Sequence, residues 1–305
     1  MAKKKFYRPI FYWFLMAARG FFYLLPFEAG FAFAGLMGKL SFYLIAKERR
    51  KTISHLKLAF GDEKSDRELM ELGAQIFQNY GYVTAEVNLI DKLLPRLDGL
   101  ITVSGREHIE RALARKKGIV AVGAHFGNWE MMAGYLSWKW YPGSALAKRI
   151  YYDKYNDILL GLRERFKLKT IYRESPTAAR EVFKALKENR VVGFVADQDV
   201  GTIGGVFVDF FGRPAYSPAA PVKFAMKTGA PLIALFMVRQ GMRHHIFIEP
   251  PIELTVTGDE EKDTVVNTQK WVTLQEKYIR QHPHLWGWNH KRWKTRPPEP
   301  KKAAN

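Results

Sequence analysis

Short apolar runs that alternate with helical segments constrain the fold of this chain more than any other feature. Residues 118–123 and 191–196 are continuous apolar runs, which are typical of strands buried on both faces of a sheet. Further strands are predicted over residues 101–104, 145–147, 169–172, 231–238 and 244–249. Helices are predicted over residues 64–90, 106–115, 128–140, 155–166, 176–188, 217–228 and 264–281. The alternation predicts an α/β fold with a mostly parallel or mixed central sheet flanked by helices.

The first 50 residues differ from the rest and are predicted to be an N-terminal membrane-associated helical segment. Residues 1–51 hold ten Lys or Arg and two acids, and residues 6–43 hold fourteen of the 43 aromatic residues. Aromatic side chains at the acyl boundary, with cations at the headgroups, favour an interfacial helix pair. A single spanning helix over residues 9–27 has the right length, but Arg19 would cost about 2.5–3.5 kcal/mol near its middle. The alternative is a buried helix pair of a soluble domain.

Composition narrows the classes of function. With 48 Lys and Arg against 30 Asp and Glu, the net charge of +18 favours anionic partners: nucleic acid, anionic lipid or an acidic protein. The chain has no cysteine, which excludes disulfides, a thiolate zinc site and a cysteine nucleophile. Residues 51–296 are predicted to form one α/β domain, and the Pro- and Lys-rich residues 297–305 a flexible tail.

A candidate general base lies where the strand at 118–123 ends and the next helix begins, the edge at which open α/β sheets bind ligands. His125 is in this loop, and Asn128 is the predicted N-cap of the helix. Glu130 then lies in the first helical turn, where its carboxylate can point back to His125. A histidine with a carboxylate partner is a general-base unit. The alternative interpretation is a packing histidine and a solvated glutamate.

Three other features are candidates for binding. Asp197 and Asp199 follow the strand at 191–196 and suggest a metal or polar-ligand site, or a turn with Asx hydrogen bonds. The glycine-flanked apolar residues 204–215 are interpreted as a loop that lines an acyl-chain groove or as ordinary core. Four arginines could bind phosphate or could lie on a solvated helix face. They are Arg149, Arg163, Arg165 and Arg173.

These features together resemble a known family, the lipid A late acyltransferases (lauroyl and myristoyl transferases of Gram-negative bacteria) of the glycerolipid acyltransferase superfamily. The spacing of His125 and Glu130 is similar to the superfamily's His-x4-acid motif. Other blocks resemble the family in the same order, and the resemblance covers roughly residues 10–297. The blocks are residues 103–108 with 118–130, 149–156 with 162–165, 197–199, 207–215, 229–231 and 286–294.

The resemblance implies roles for the candidate residues. His125 would deprotonate a hydroxyl of the acceptor lipid, and Glu130 would orient it. Arg165 would contact phosphate or the acceptor, with Arg163 as its rival, and Asp197 would be the acid of the acceptor pocket. The remaining substrate-binding candidates are Asn128, Arg149, Asp199 and Arg213.

The resemblance also implies substrates and location. The donor would be a thioester of acyl carrier protein or coenzyme A, with no metal or other cofactor. The acceptor would be an anionic glycolipid, most often a lipid A precursor, with a mannosylated phosphatidylinositol as the alternative. The protein would lie at the cytoplasmic face of the inner membrane, as a monotopic or single-pass protein. Ser217 replaces the family's usual Thr and His55 its usual Asn, which leaves the acceptor and the acyl-chain length open.

The mechanism expected from these residues is direct acyl transfer, with backbone amides of the Gly127 turn or an arginine stabilising the oxyanion. Two other classes of protein are less favoured. A basic nucleic-acid-binding protein would have no use for the apolar N-terminal stretch, so no nucleic-acid partner is expected. A non-enzymatic membrane scaffold would leave the arrangement of His125 and Glu130 unexplained.

Overall fold

The structure, a computed structural model, describes residues 19–150 and 153–298 together with Trp13 and Met16. Most of the basic N-terminal run and residues 299–305 of the expected tail lie outside the described residues. The strands are β1 Ile101–Ser104, β2 Ile119–Gly123, β3 Gly143–Ala147, β4 Lys169–Tyr172, β5 Val191–Val195, β6 Gly205–Phe210, β7 Arg213–Pro218, β8 Leu232–Gln240 and β9 Arg243–Ile248. The helices are α1 Phe27–Leu44, α2 Ala46–Phe60, α3 Asp66–Asn88, α4 Ile90–Leu93, α5 Leu97–Leu100, α6 Arg106–Leu113, α7 Trp129–Lys139, α8 Asp153–Arg165, α9 Ala178–Lys187, α10 Ala220–Thr228 and α11 Glu260–Gln281.

A mixed sheet of seven strands, in the order β1-β9-β8-β2-β5-β3-β4, forms the centre of the molecule. The five strands from β8 to β4 run parallel to their neighbours, β9 returns antiparallel to β8, and β1 lies parallel to β9. Strands β6 and β7 form a separate antiparallel hairpin. The α/β fold with a mostly parallel sheet, predicted from the sequence, is therefore confirmed.

Both faces of the sheet are covered, which explains why its central strands are continuously apolar. All five residues of β2 are buried. Val120 and Val122 pack into a core cluster on one face, whereas Ile119 and Ala121 pack into a second cluster on the other. A strand between two helical layers has no solvent-facing side, so the usual alternation of polar and apolar residues is lost.

Helix α1 packs on α3 through one of its faces. The ring of Phe31 stacks on Tyr82 with centroids 4.3 Å apart, and Phe42 contacts Phe77 edge to face at 5.4 Å. A methyl group on Gly38 would lie 2.3 Å from the carbonyl oxygen of Phe77, so this contact needs glycine. In the described part of the chain, no single helix is long and apolar enough to cross a membrane; α1 and α2 pass that test only as a pair, bent by 88°.

A buried polar cluster joins α3 to β8 and β9 behind the carboxyl ends of the strands. Glu86 accepts hydrogen bonds from the Arg239 guanidinium, one of them 2.6 Å long, and lies 2.8 Å from Nε2 of His244. Arg239 also donates to the side-chain oxygen of Asn79 at 2.9 Å. Burial alone would raise the pKa of Glu86, but Arg239 and His244 together lower it to about 2. Glu86 is therefore an ionised carboxylate in the interior, and its partners there are fixed.

Replacing Glu86 by alanine is expected to destabilise the fold by about 3–5 kcal/mol, because Arg239 would be left as an unpaired buried charge. Glu71 lies on the same helix in an exposed ion pair with Arg67, where the loss is expected to be within about 0.5 kcal/mol. Denaturant unfolding of both variants measures the difference. Equal midpoints for Glu86→Ala and Glu71→Ala would contradict the assigned role of the cluster.

Candidate active site

The centre of the candidate site is a contact between His125 and Asp197. Strands β2 and β5 are parallel neighbours with Gly123 opposite Val195, so the residues two positions beyond each strand end face each other. Nδ1 of His125 lies 2.7 Å from Oδ1 of Asp197, and the His125 backbone N–H donates to Oδ2 at 2.9 Å. The indole N–H of Trp286 donates to Oδ2 as well, at 2.8 Å. Two parallel strands thus bring together residues that are 72 positions apart.

Electrostatics in this pair favour a basic imidazole. Burial by itself disfavours the protonated ring, but Asp197 and, more weakly, Glu130 outweigh it and raise the pKa of His125 above its ordinary value. Burial likewise opposes ionisation of Asp197, yet His125 and the hydrogen bonds hold the pKa of this carboxyl below its usual range. With Nδ1–H donated to Asp197, Nε2 of His125 carries the lone pair that can accept a proton.

Glu130 makes a different contact from the one expected. The sequence predicts that its carboxylate orients His125, but in the structure Asp197 is the carboxylate at Nδ1. Glu130 instead accepts a forked ion pair from Arg163, with N–O distances of 2.9 and 2.6 Å. Arg163 donates its remaining hydrogen bond to the Thr170 hydroxyl at 3.2 Å. From the first turn of α7 the side chain reaches α8, because the helix directs it away from the loop.

Asn128 is the N-cap of α7, as the sequence predicts. Its side-chain oxygen accepts the backbone N–H of Met131 at 3.0 Å, and its amide donates to Glu86 at 2.9 Å. Asn128 is buried and lies outside the residues that line the cavity at His125. It therefore ties the His125 loop to the buried polar cluster rather than offering a group to substrate.

The other predicted substrate-binding residues divide between the cavity and the surface. Arg163 and Arg173 line the cavity of about 320 Å³ that contains His125 and Glu130. The rest lie outside it and contact other parts of the chain: Arg149 pairs with Asp153, Arg165 with Asp91, Asp199 with the N–H and hydroxyl of Thr295, and Arg213 with the carbonyl of Leu58. Of the two rival arginines, the structure thus places Arg163 in the site.

The segment after α11 completes the site, and its contribution could not be assigned from the sequence. Trp286 is not its only contact. The Leu285 carbonyl accepts the Gly127 N–H at 2.9 Å, and the Gly287 N–H donates to the His125 carbonyl at 2.9 Å. Arg292 is fully buried and donates to Ser217 and to the Tyr216 carbonyl. The tryptophan-rich block was visible as a motif, but nothing in its local spacing links it to a strand end.

The Gly127 turn does not offer the amide that the sequence analysis expected to stabilise an oxyanion. Its N–H already donates to Leu285, and the Phe126 N–H donates to the Ala124 carbonyl at 2.7 Å. Gly127 has φ +59°, and a methyl group there would lie 2.0 Å from the Met237 carbonyl oxygen. The glycine is required for close approach of the loop to β8, so it serves packing rather than anion binding.

A larger apolar cavity of about 730 Å³ adjoins the His125 cavity. The two share Leu146, Arg173, Ile203 and Ala220 in their walls. The glycine-flanked residues 204–215 are not a loop but belong largely to the β6–β7 hairpin, and Phe207 lines the cavity while Phe210 is buried in the core. For the same reason, the helix expected from Ser217 begins at Ala220, since Ser217 lies in β7.

A histidine backed by a buried carboxylate at the strand ends of a mostly parallel sheet is typical of an α/β enzyme that takes a proton from its substrate. The chain matches the family model described as bacterial lipid A biosynthesis acyltransferase over residues 1–295. It belongs to this family, which confirms the resemblance of its motifs.

Relatives in the family carry two kinds of name. The lipid A biosynthesis lauroyltransferase of Escherichia coli (strain K12) is 27% identical over 299 residues, which cover 94% of this chain and 93% of that protein. The palmitoleoyltransferase of the same organism is 26% identical over 82% of this chain and 80% of its own length. The phosphatidylinositol mannoside acyltransferase of Mycobacterium tuberculosis (strain CDC 1551 / Oshkosh) is 28% identical over 208 residues. This match covers 66% of this chain and 62% of that relative's length.

Proposed function

We propose that the protein is a membrane-associated acyltransferase that moves a fatty acyl group from a thioester to a hydroxyl of a glycolipid, and that this glycolipid is a lipid A precursor. The observation that carries the proposal is the His125–Asp197 pair beside two joined cavities, one of them large and apolar. The apolar cavity is suited to an acyl chain, and the smaller cavity to the reacting groups. Membership of the acyltransferase family supports the same reaction.

The chemistry follows from the position of Nε2. The acceptor hydroxyl gives its proton to Nε2 of His125 as its oxygen attacks the thioester carbonyl carbon. The tetrahedral intermediate then expels the donor's thiolate, which takes the proton back from the imidazolium. Asp197 fixes the tautomer and stabilises the imidazolium that forms between the two steps. An ester replaces the thioester, and no acyl group is attached to the protein.

Two observations suggest where the anionic groups of the substrates lie. Lys148 and Arg173 line the His125 cavity, so a phosphate on acceptor or donor would meet positive charge there. The Glu130–Arg163 pair is almost neutral as a unit and is buried behind them, with side-chain exposures of 15% and 7%. The pair therefore shapes the cavity wall. Lys148 and Arg173 are proposed to bind the anionic groups of both substrates: the thioester of acyl carrier protein or coenzyme A, and the acceptor lipid.

Lipid A precursors are favoured as acceptor because the alignment with the lauroyltransferase spans nearly the whole of both chains, unlike that with the mannoside acyltransferase. Mass spectrometry of lipids from cells with and without the protein tests this proposal. The expected result is one acyl unit added to a phosphorylated glucosamine lipid. An acyl unit added to an inositol mannolipid instead would reassign the acceptor, and no change in any glycolipid would contradict the function.

The membrane contact is proposed to be the face of α1 that points away from α3, at the cytoplasmic side of the inner membrane. Five apolar residues on this face are between 43% and 78% exposed. They are Phe33, Leu36, Met37, Leu40 and Leu44. The basic residues that begin α2 lie next to this face, where anionic headgroups would meet them.

Changing Leu36, Leu40 and Leu44 together to serine is expected to weaken binding to anionic phospholipid vesicles by roughly tenfold or more, because apolar area no longer enters the bilayer. A matched control changes three exposed apolar residues elsewhere, Met70, Val256 and Val266, to serine. Vesicle sedimentation compares the two proteins. If the α1 variant still sediments like the control, the membrane contact lies on another surface.

A further inference from the structure

Acyl transfer needs a hydrogen-bond donor for the oxygen that becomes negative in the tetrahedral intermediate. The backbone amides of the His125 loop are already engaged. The N–H of His125 donates to Asp197, that of Phe126 to Ala124 and that of Gly127 to Leu285. If the proposed function is correct, the donor comes from outside this loop, and a side chain at the same edge of the sheet can supply it.

Among the side chains that line the cavity, Gln198 has the right place. Its Nε2 lies against the His125 ring, 3.0 Å from Nε2 and 3.1 Å from Nδ1, and 2.8 Å from Nε2 of His290. The guanidinium of Arg163 commits three of its five N–H groups to Glu130 and Thr170, which hold it at the cavity wall. One hydrogen of the Gln198 amide is therefore directed to His290, and the amide lies against the His125 ring, beside the nitrogen that must receive the substrate's proton.

We propose that Gln198 is the oxyanion donor of this enzyme and that His290 is the positioning residue that anchors it. In the absence of substrate, one amide hydrogen lies against the imidazole of His125. When the acceptor hydroxyl donates to Nε2, that amide hydrogen turns to the carbonyl oxygen of the thioester, while the other hydrogen stays on His290. This inference rests on the proposed function, in which no residue is yet assigned to stabilise the oxyanion.

The distances support this exchange of partners. A hydroxyl that donates to Nε2 of His125 lies about 2.8 Å from it in the plane of the ring, next to the Gln198 amide, which is 3.0 Å from the same nitrogen. The carbonyl that the hydroxyl attacks lies about 3–3.5 Å further on, so the amide reaches the carbonyl oxygen by a small side-chain movement. Gln198 follows directly on Asp197, and this places the amide at the same strand end as the base.

His290 is suited to accept a hydrogen bond throughout the cycle. Burial, together with the neighbouring charge of His125, lowers the pKa of His290 to about 4. At neutral pH the ring is therefore neutral, and its Nε2 accepts a hydrogen bond in the tautomer that carries the proton on Nδ1. Its ring centroid lies 5.1 Å from that of His125, and the amide of Gln198 bridges the two rings. A protonated His290 would instead compete with Gln198 as a donor.

The test compares Gln198→Ala and Gln198→Glu with the wild-type protein in steady-state assays with an acyl thioester. Both variants are expected to lower kcat by about 10²–10³-fold, since neither offers the amide hydrogen, while KM for donor and acceptor stays within about threefold. Hydrolysis of the thioester by water passes through the same oxyanion, so its rate is expected to fall equally. His290→Ala is expected to lose about tenfold in kcat, and His290→Gln, whose amide oxygen accepts the same hydrogen, to recover most of it.

Three results would overturn the assignment. One is a Gln198→Ala variant with kcat near the wild-type value; another is a loss confined to KM. A third is a transfer rate that falls while hydrolysis is unchanged, which would place Gln198 on the acceptor instead. His125→Ala separates this inference from the function on which it rests. If that variant is inactive while Gln198→Ala is not, only the donor is wrongly assigned; if the wild-type protein neither transfers nor hydrolyses the acyl group, the proposed function itself fails.

Discussion

Replacing His125 by alanine is expected to slow acyl transfer by about 10²–10⁴-fold, because the acceptor hydroxyl loses the group that takes its proton. The fold should survive, because Asp197 keeps the hydrogen bonds from the backbone N–H of residue 125 and from the Trp286 indole. Purified variant protein, an acyl thioester and the glycolipid acceptor are sufficient for the assay. Circular dichroism and the melting temperature show whether the variant is folded.

His245 provides the matched control for this variant. It lies on β9, near the far edge of the sheet, between the hydroxyls of Thr102 and Ser104 at 2.8 and 2.7 Å. His245→Ala is expected to keep the wild-type rate. A His125→Ala protein that transfers acyl groups as fast as His245→Ala would show that the reaction needs no histidine base here.

The second large effect is expected from Asp197→Asn, at about 10³–10⁴-fold in kcat. The asparagine amide would donate to Nδ1 and leave the proton on Nε2, so the base would present the wrong tautomer. The pH profile gives an independent measure. In the wild-type enzyme kcat/KM rises as His125 loses its proton, at a pH above the ordinary value near 6.5 because its pKa is raised. In Asp197→Asn burial dominates instead, so this acid limb moves to lower pH.

Glu130→Gln separates the two carboxylates. It removes one charge of the Glu130–Arg163 pair and leaves the guanidinium buried without its counter-ion, so the melting temperature is expected to fall sharply. The acid limb of the rate profile should move much less than in Asp197→Asn, because Glu130 contributes to the pKa of His125 only at a distance. If Glu130→Gln moved the acid limb further than Asp197→Asn, Glu130 would be the carboxylate that orients His125.

The sequence predicted the parts of the site that depend on local spacing. Residues 118–123 and 191–196 were recognised as strands because continuous apolar runs need two covered faces, and Asn128 was recognised as a cap from its position before α7. Because local spacing carries no information on strand order, the sequence predicts Glu130 and not Asp197 as the partner of His125. Glu130 is five residues away, whereas Asp197 is opposite only because β5 lies beside β2.

Strand order is the information that local patterns lack. Strands β3 and β4 separate β2 from β5 in the chain, yet β5 pairs with both β2 and β3. Chain order therefore does not give spatial order. The β6–β7 hairpin was missed because its turn, Phe211-Gly212 with φ values of 56° and 67°, lacks the Asn-Gly or Asp-Gly pair that marks such turns.

The contacts that residues 285–293 make with the His125 loop determine at what point during synthesis the active site is complete. A ribosome produces both strand ends long before it reaches Trp286, whose indole holds one oxygen of Asp197. Until that segment arrives, Oδ2 of Asp197 lacks its indole donor and Gly127 lacks its carbonyl partner. The active site is therefore completed last during synthesis. A chain truncated before Leu285 would contain every strand of the sheet but would lack the groups that position the His125 loop.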